Sequence, residues 1–263
     1  MNQYGIERPI GLDNICSEIE QICADAHVYK RCGLMPGNFI VELDSGNGRT
    51  VVMEYAVDMF KAAGVLPFSS GLDDYISLKF DGSLQQFKTC KNVIDSAAVY
   101  KNTYQELYEV DCIALASHAS ETQYKEFFRL FSDICRHACV FFFVPTQLSK
   151  NEERFVEKLK ESFEDVKRIA PNEYTVEELT LIIEKSICDH GIEIERPKRV
   201  TSVLRSIVAL YKISSVKDAL SFATLAVRHA DFSGFKPTID DKCMKALVEG
   251  TSFEDAYMRR DAK

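Results

Sequence analysis

The segment NFIVELDSGNGRTVVMEYAVDMFKAAG, residues 38–64, decides the fold of this chain. It opens with a short apolar run (38–43) of the length of a buried strand and continues into the turn-forming residues DSGNG. Beyond the turn, residues 50–63 carry apolar side chains at three-to-four spacing, and Gly64 follows where a helix C-cap would stand. The pattern predicts a buried strand, a glycine turn and a helix.

The same alternation of apolar runs and amphipathic stretches recurs over the rest of the first 171 residues. Strands are predicted at 75–78, 111–117, 139–145 and 165–170, and helices at 12–30 and 122–136. Continuous apolar strands separated by helices are typical of a mainly parallel sheet that is covered on both faces. The aromatic run Phe141 to Phe143 is therefore interpreted as part of a central strand.

The character of the chain changes after Pro171, because the remaining periodic segments are helical and no further run resembles a strand. Helices are predicted at 175–191, 198–211, 215–230 and 240–249. Thr175 and Glu178 have the spacing of a capping box at the start of the first of these helices. We therefore expect two domains, an α/β domain over 1–171 and a helical domain over 172–263.

Composition and charge exclude several classes of protein. The chain has 263 residues, with 32 Lys and Arg against 40 Asp and Glu, and the net charge of −8 argues against a surface dedicated to coating nucleic acid. Nine scattered cysteines form no tight disulfide framework, which favours the reducing cytoplasm. The sequence shows no transmembrane run and no secretory leader. Cys135, His137 and Cys139 lie close together, but three ligands without a second cluster predict no metal site.

The glycine turn has the position of a phosphate-binding P-loop but not its full chemistry. A P-loop follows G-x-x-x-x-G-K-[ST]: backbone N–H groups hold the phosphates, the Lys contacts the outer phosphates and the hydroxyl binds magnesium. Here Leu43 replaces the first Gly and Arg49 the Lys, while Asp44 adds a negative charge. Such turns also arise for structural reasons alone, so the loop leaves both interpretations open. The candidate nucleotide-binding residues are Asp44, Ser45, Gly46, Asn47, Gly48, Arg49 and Thr50.

Four further segments, before and after this loop, have the pattern of a known family. They are PIGLDNICSEIEQI (9–22), VVMEYAVDMFKAAGVL (51–66), SFEDVKRIAPNEYTVEELTLII (162–183) and SSVKDALSFATLAVRHA (214–230). In order and pattern, residues 9–232 resemble an AAA+ module of the branch that contains stage V sporulation protein K and the red-type rubisco activases. The resemblance implies a three-layer αβα P-loop domain with a five-stranded parallel sheet, followed by a small helical lid, and usually a ring-shaped oligomer.

The resemblance also implies where the catalytic residues would stand, and the sequence departs from the family there. The family's third strand ends in Asp-Glu, the first organising magnesium and the second polarising water, but Ala116 and Ser117 match these positions. His118 follows and is not a ligand for a hard metal ion. The polar sensor after the fourth strand matches Thr146 or Gln147.

The two arginines that the family uses in the transition state are also unmatched. The arginine finger aligns close to Glu164, unless the nearby Lys167 or Arg168 substitutes for it. The sensor arginine of the lid aligns with Ser214. Loss of these charges would remove the electrostatic contributions on which phosphoryl transfer relies.

The leading hypothesis is a catalytically impaired AAA+ module, a pseudo-ATPase that acts as a structural or regulatory subunit or as an adaptor. Such a chain requires no cofactor, retains at most weak binding of ATP or ADP, and is not expected to bind magnesium. Its expected partners are another AAA+ chain or a client protein, not nucleic acid or a membrane. Alone it is expected to be a monomer or a low-order oligomer.

Two alternatives stay open. The first is a divergent, active AAA+ remodelling ATPase in which Asp111, Glu109 or Glu121 supplies the carboxylates, although Asp111 is predicted at the start of its strand. The second is a clamp-loader-like subunit that does not hydrolyse ATP, which the net charge of −8 disfavours if the subunit faces DNA.

Overall fold

A five-stranded parallel sheet forms the centre of the first unit of the chain, Met1–Asn172. The computed structural model describes residues 3–32, 36–65, 74–80, 83–99, 106–118, 120–163, 165–234 and 236–249. The strands are β1 (Asn38–Glu42), β2 (Ile76–Lys79), β3 (Glu106–Asp111), β4 (Ala138–Val144) and β5 (Val166–Ile169). They lie in the order β2-β3-β4-β1-β5, and each neighbouring pair is parallel. The predicted fold class is confirmed.

The neighbouring strands β1 and β4 are buried along their whole length. Phe39 and Phe141 pair in register, and their rings stack with centroids 4.7 Å apart. Ile40 and Phe142 form the next pair and point to the opposite face, where they join a large hydrophobic cluster. Because both faces of these strands are buried, the sheet is covered on both sides, and the aromatic run of β4 is core as predicted.

Helices supply the covering layers of this unit. They are α1 (Asp13–Ala24), α2 (Ala26–Cys32), α3 (Arg49–Ala63), α4 (Leu84–Val99), α5 (Ile113–His118), α6 (Glu121–His137) and α7 (Lys150–Ser162). Residues of α4, α5, α6 and α7 share the cluster with Ile40 and Phe142, while α1 packs against α3. Gly64 caps α3 in the left-handed conformation, as the sequence predicts.

Within the described residues, the core of the second unit, Glu173–Lys263, is built from four helices together with Ile192, Ile213 and Ile239. Its elements are α8 (Val176–Asp189), β6 (Glu193–Ile194), α9 (Pro197–Leu210), α10 (Val216–Arg228), β7 (Thr238–Ile239) and α11 (Asp241–Glu249). The capping box of Thr175 and Glu178 is present at the start of α8. The prediction of no further strand after Pro171 is wrong, because β6 and β7 pair as a short parallel sheet.

Two predictions for the first unit are wrong in their boundaries or type. The strand predicted at 111–117 lies at 106–111 instead, where β3 pairs with β4 along its whole length, and residues 113–118 form α5. The single helix predicted at 12–30 is two helices, α1 and α2, separated at Asp25. The apolar run after Asp111 is therefore helical and does not belong to the third strand.

Two features are missing from the part of the chain that the structure describes. None of its helices is both long enough and apolar enough to cross a membrane. Among the same residues, no group of three or more His, Cys, Asp or Glu side chains is arranged to hold a metal ion.

Candidate functional site

The glycine loop joins β1 to α3 through a compact turn. The N–H of Asn47 donates to the carbonyl of Asp44 at 3.2 Å, and the carbonyl of Gly48 accepts the first helical bond from Val52 at 2.9 Å. Gly46 and Gly48 have φ of 86° and 98°, in the left-handed region that glycine adopts without strain. The predicted turn between strand and helix is therefore confirmed, and the N–H groups of the first turn of α3, which have no acceptor within the helix, follow it directly.

Three strands bring their carboxyl ends to one edge of the sheet, where ligands of α/β proteins bind. Asp44 follows β1, Asp111 ends β3, and Thr146 follows β4. Since β4 pairs with both β1 and β3, these three side chains lie along the same edge as the glycine loop. The edge forms the candidate site.

Arg49 and Asp111 form an ion pair at the centre of this edge. The Nη1 of Arg49 lies 2.9 Å from Oδ2 of Asp111, and the two side chains are only 10% and 15% exposed. The guanidinium also lies 5.8 Å from the ring centroid of Phe143, within reach of a cation–π interaction. The other carboxylate oxygen, Oδ1 of Asp111, accepts the N–H of Ile113 at 3.1 Å. Both charges are therefore satisfied within the protein.

Asp44 is held by the residue after β4. Its Oδ2 accepts the hydroxyl of Thr146, and its Oδ1 accepts the N–H of Thr146 at 3.3 Å. Thr146 and Gln147 are the two positions predicted for the polar sensor, and both are exposed. The structure thus joins a loop residue and a sensor candidate in direct contact, which the sequence did not predict.

The assignment of Ala116 and Ser117 to the end of the third strand is wrong. Both residues lie in α5, where Ala116 is buried and the Oγ of Ser117 lies within hydrogen-bond distance of the carboxylate of Glu152 and of the carbonyl of Ile113. The physical reason is that β3 ends at Asp111. The residues at the end of β3 are therefore Asp111 and Cys112, and neither Ala116 nor Ser117 lies there.

Cys112 has no surface exposure, and its N–H donates to the carbonyl of Phe143 at 2.9 Å. Burial raises the pKa of its thiol well above the ordinary value, and the neighbouring charge of Asp111 raises it further. The thiol is therefore neutral over the physiological range. A neutral buried thiol is no general base for water.

The predicted positions for the arginine finger lie on β5 or outside the described residues. Glu164, the position of the arginine finger, is outside the described residues. Of the two neighbouring cations, Arg168 pairs with Glu42 and Glu153, and Lys167 pairs with Glu18. Their charges are thus engaged within the first unit.

Ser214 belongs to the second unit and is exposed in the segment before α10. The next residue, Ser215, is the N-cap of α10, and its hydroxyl accepts the N–H of Asp218 at 3.1 Å. The local structure at this position is therefore that of a helix start.

Comparisons with known proteins give one consistent result. No protein-family model matches the sequence, and the curated proteins contain no match. Among solved structures, the chain is similar to RuvB of Thermotoga maritima, a Holliday junction branch migration motor, with 15% identity and a TM-score of 0.55 over 91% of this chain and 69% of RuvB. It is also similar to ORC2 of Aeropyrum pernix in its ADPNP–ADP complexes, with 13% identity and a TM-score of 0.56 over 89% of this chain and 67% of ORC2.

A third similar structure is PCH-2 of C. elegans, with 11% identity and a TM-score of 0.52 over 95% of this chain and 69% of PCH-2. All three proteins are AAA+ ATPases. The chain therefore shares the fold of an AAA+ module.

Proposed function

We propose that this chain is an AAA+ module with impaired catalysis that acts as a structural or regulatory subunit or as an adaptor. The observation that carries the proposal is the Arg49–Asp111 ion pair. It joins the residue that would contact phosphate to the residue that would organise magnesium. Because the guanidinium and the carboxylate pair with each other, Arg49 is not free to contact phosphate and Asp111 is not free to bind magnesium.

Three further features argue against magnesium-bound ATP at this site. Leu43 is buried where a P-loop has its first glycine, Asp44 places a carboxylate in the loop, and Cys112 stands where water would be polarised. To bind magnesium, Asp111 would have to leave Arg49, whose guanidinium would then lose its partner in a largely buried position. These residues do not fit the metal-bound nucleotide, so we assign the chain no hydrolytic step.

Weak binding of phosphate is compatible with the same geometry. The loop retains Gly46 and Gly48, and the exposed Thr50 lies in the first turn of α3. Unpaired N–H groups at a helix N-terminus attract anions without a metal ion. We therefore propose that ATP or ADP binds weakly and that neither nucleotide nor magnesium is required for the fold.

The proposed partners follow from the loss of the nucleotide cycle. In an active ring, nucleotide held between neighbours couples the interface to hydrolysis, and a module without this chemistry offers only packing. We propose that the chain works in the cytoplasm beside an active AAA+ chain or on a client protein, and that it acts neither on nucleic acid nor at a membrane.

The test is hydrolysis of ATP by the purified full chain, with and without magnesium. We expect no magnesium-dependent turnover above the background of the assay. The matched variant is Arg49→Lys combined with Cys112→Glu, which reinstates both family residues beside Asp111. Turnover by the unmodified chain at the rate of ordinary ATPases, lost in Arg49→Ala, would contradict the proposal.

A divergent active ATPase is the second candidate, because Asp111 lies at the catalytic end of β3 and not at its start. In that case Arg49 would contact phosphate and Asp111 would be free for magnesium. The hydrolysis assay separates the two candidates directly.

A further inference from the structure

A cleft of about 140 Å³ opens between α4 and α6, on helices that contribute no residue to the candidate nucleotide site. Three residues of each helix line it: Phe87, Lys88 and Lys91 from α4, and Glu126, Arg129 and Leu130 from α6. We call this feature the α4–α6 cleft.

The α4–α6 cleft has an apolar floor. Phe87 is 6% exposed and belongs to the core cluster of the first unit, and Leu130 packs against that cluster while remaining partly exposed. The floor is therefore held in place by the core. An apolar side chain placed there would bury more of both residues.

The rim of the cleft is basic. Lys88, Lys91 and Arg129 are exposed, and within the described residues none of them has an ion pair or a side-chain hydrogen bond. By contrast, Lys61, Lys158 and Lys167 of the same unit are paired with carboxylates. The chain as a whole carries a net charge of −8, whereas the rim of this cleft carries three cations. The charge of the cleft is therefore opposite in sign to that of the chain.

We infer that the α4–α6 cleft binds an acidic, amphipathic segment of a partner protein. An apolar side chain of the segment would lie on the floor formed by Phe87 and Leu130, and its carboxylates would pair with the three cations of the rim. An amphipathic helix or strand that presents an apolar anchor between acidic residues has this chemistry. Such a surface is independent of whether the nucleotide site is active.

The cleft favours an acidic protein segment over nucleic acid. Glu126 lies in the lining and would repel a phosphate backbone, whereas a segment of mixed polarity places a polar or basic group there. The floor also offers apolar contact, which a phosphate backbone does not use. The three cations suffice for local pairing but form no extended basic stripe.

The test is fluorescence anisotropy with a fluorescein-labelled synthetic helix that has leucines at helical spacing and, at its other positions, glutamates interspersed with glutamines. The full chain should bind this peptide, and binding should weaken as salt is raised. Lys88→Glu combined with Lys91→Glu should weaken it by about tenfold, because two rim contacts become repulsive. Leu130→Ser, which leaves the cations in place, should weaken it as well.

Lys150→Glu is the matched control, since Lys150 is exposed at the start of α7, on a helix that does not line the cleft. It should change the affinity less than twofold, roughly the effect of one surface charge outside the cleft. Three results would overturn the inference: no binding of the acidic peptide at about 1 mM, equal loss in the Lys150→Glu control, or preference for a fluorescein-labelled single-stranded DNA over the peptide. Circular dichroism of each variant verifies that the fold is retained.

Discussion

The guanidinium of Arg49 has two neighbours, the carboxylate of Asp111 and the ring of Phe143. All three groups lie at the edge where β3 and β4 end, and the pair of charges is largely removed from water. A buried pair of this kind gives little net stability, but removing one partner leaves an uncompensated charge. The planar guanidinium of Arg49 is therefore held by Asp111 more firmly than the flexible ammonium of a lysine would be.

Substitution of Asp111 measures how strongly this pair is coupled. Asp111→Ala should lower the free energy of unfolding by about 3 kcal/mol, because the charge of Arg49 loses its partner at a largely buried position. Arg49→Ala combined with Asp111→Ala should cost less than the sum of the two single variants. Urea denaturation provides the measurement.

The exposed pair of Lys61 and Asp74 is the control for this cycle, because its side chains are 40% and 48% exposed. Asp74→Ala should cost less than about 1 kcal/mol. Additive losses at Arg49 and Asp111 would show that the two charges do not interact in solution.

At the scale of secondary structure, the glycine loop could be predicted from the sequence but its ionic contacts could not. The turn follows from local chemistry, since Gly46 and Gly48 permit the left-handed backbone that ends β1 and begins α3. The meeting of Arg49 with Asp111 depends instead on the order of the strands and on the register of β3 against β4. No local pattern contains that information.

The prediction of the third strand is wrong for a different reason, because a strong local pattern is interpreted as a strand although it belongs to a helix. Residues 112–116 are apolar and resemble a buried strand, but Ala and Leu also favour helices. The missed signal is Asp111, whose side chain accepts the N–H two residues later and so starts a turn into α5. The true strand, β3, has no continuous apolar run, because Glu106, Glu109 and Asp111 interrupt it. Its position is set by pairing with β4.

The N-terminal caps of the helices give a prediction at the same scale. Ser149 begins α7 in a capping box with Glu152, which also accepts the hydroxyl of Ser117 from α5. Ser149→Ala should lower the free energy of unfolding by about 1 kcal/mol, because one N–H of the first turn loses its acceptor.

Ser132 provides the matched control, since it is exposed in the interior of α6. Ser132→Ala should be neutral or slightly stabilising, because alanine is the better helix former. Thermal denaturation of both variants compares the two positions. An equal effect of the two substitutions would show that the cap of α7 does not contribute.

At the scale of the whole molecule, the proposal concerns assembly. Without a metal-bound nucleotide to link neighbours, the purified chain should be a monomer or a low-order oligomer, and ATP should not change its size. Sedimentation velocity with and without ATP and magnesium is the measurement. A homohexamer of this chain induced by ATP would contradict the expectation, whereas higher assembly only in the presence of an active AAA+ chain would agree with it.

Isothermal titration calorimetry with ATP, in the presence and absence of magnesium, tests the account most directly. The Arg49–Asp111 pair predicts an affinity weaker than about 100 μM that is nearly the same with and without magnesium, because the carboxylate is not free for the metal ion. Thr50→Ala should then leave the affinity almost unchanged. Tight binding that requires magnesium and is lost in Thr50→Ala would show that the pair opens readily and that the site is a working P-loop.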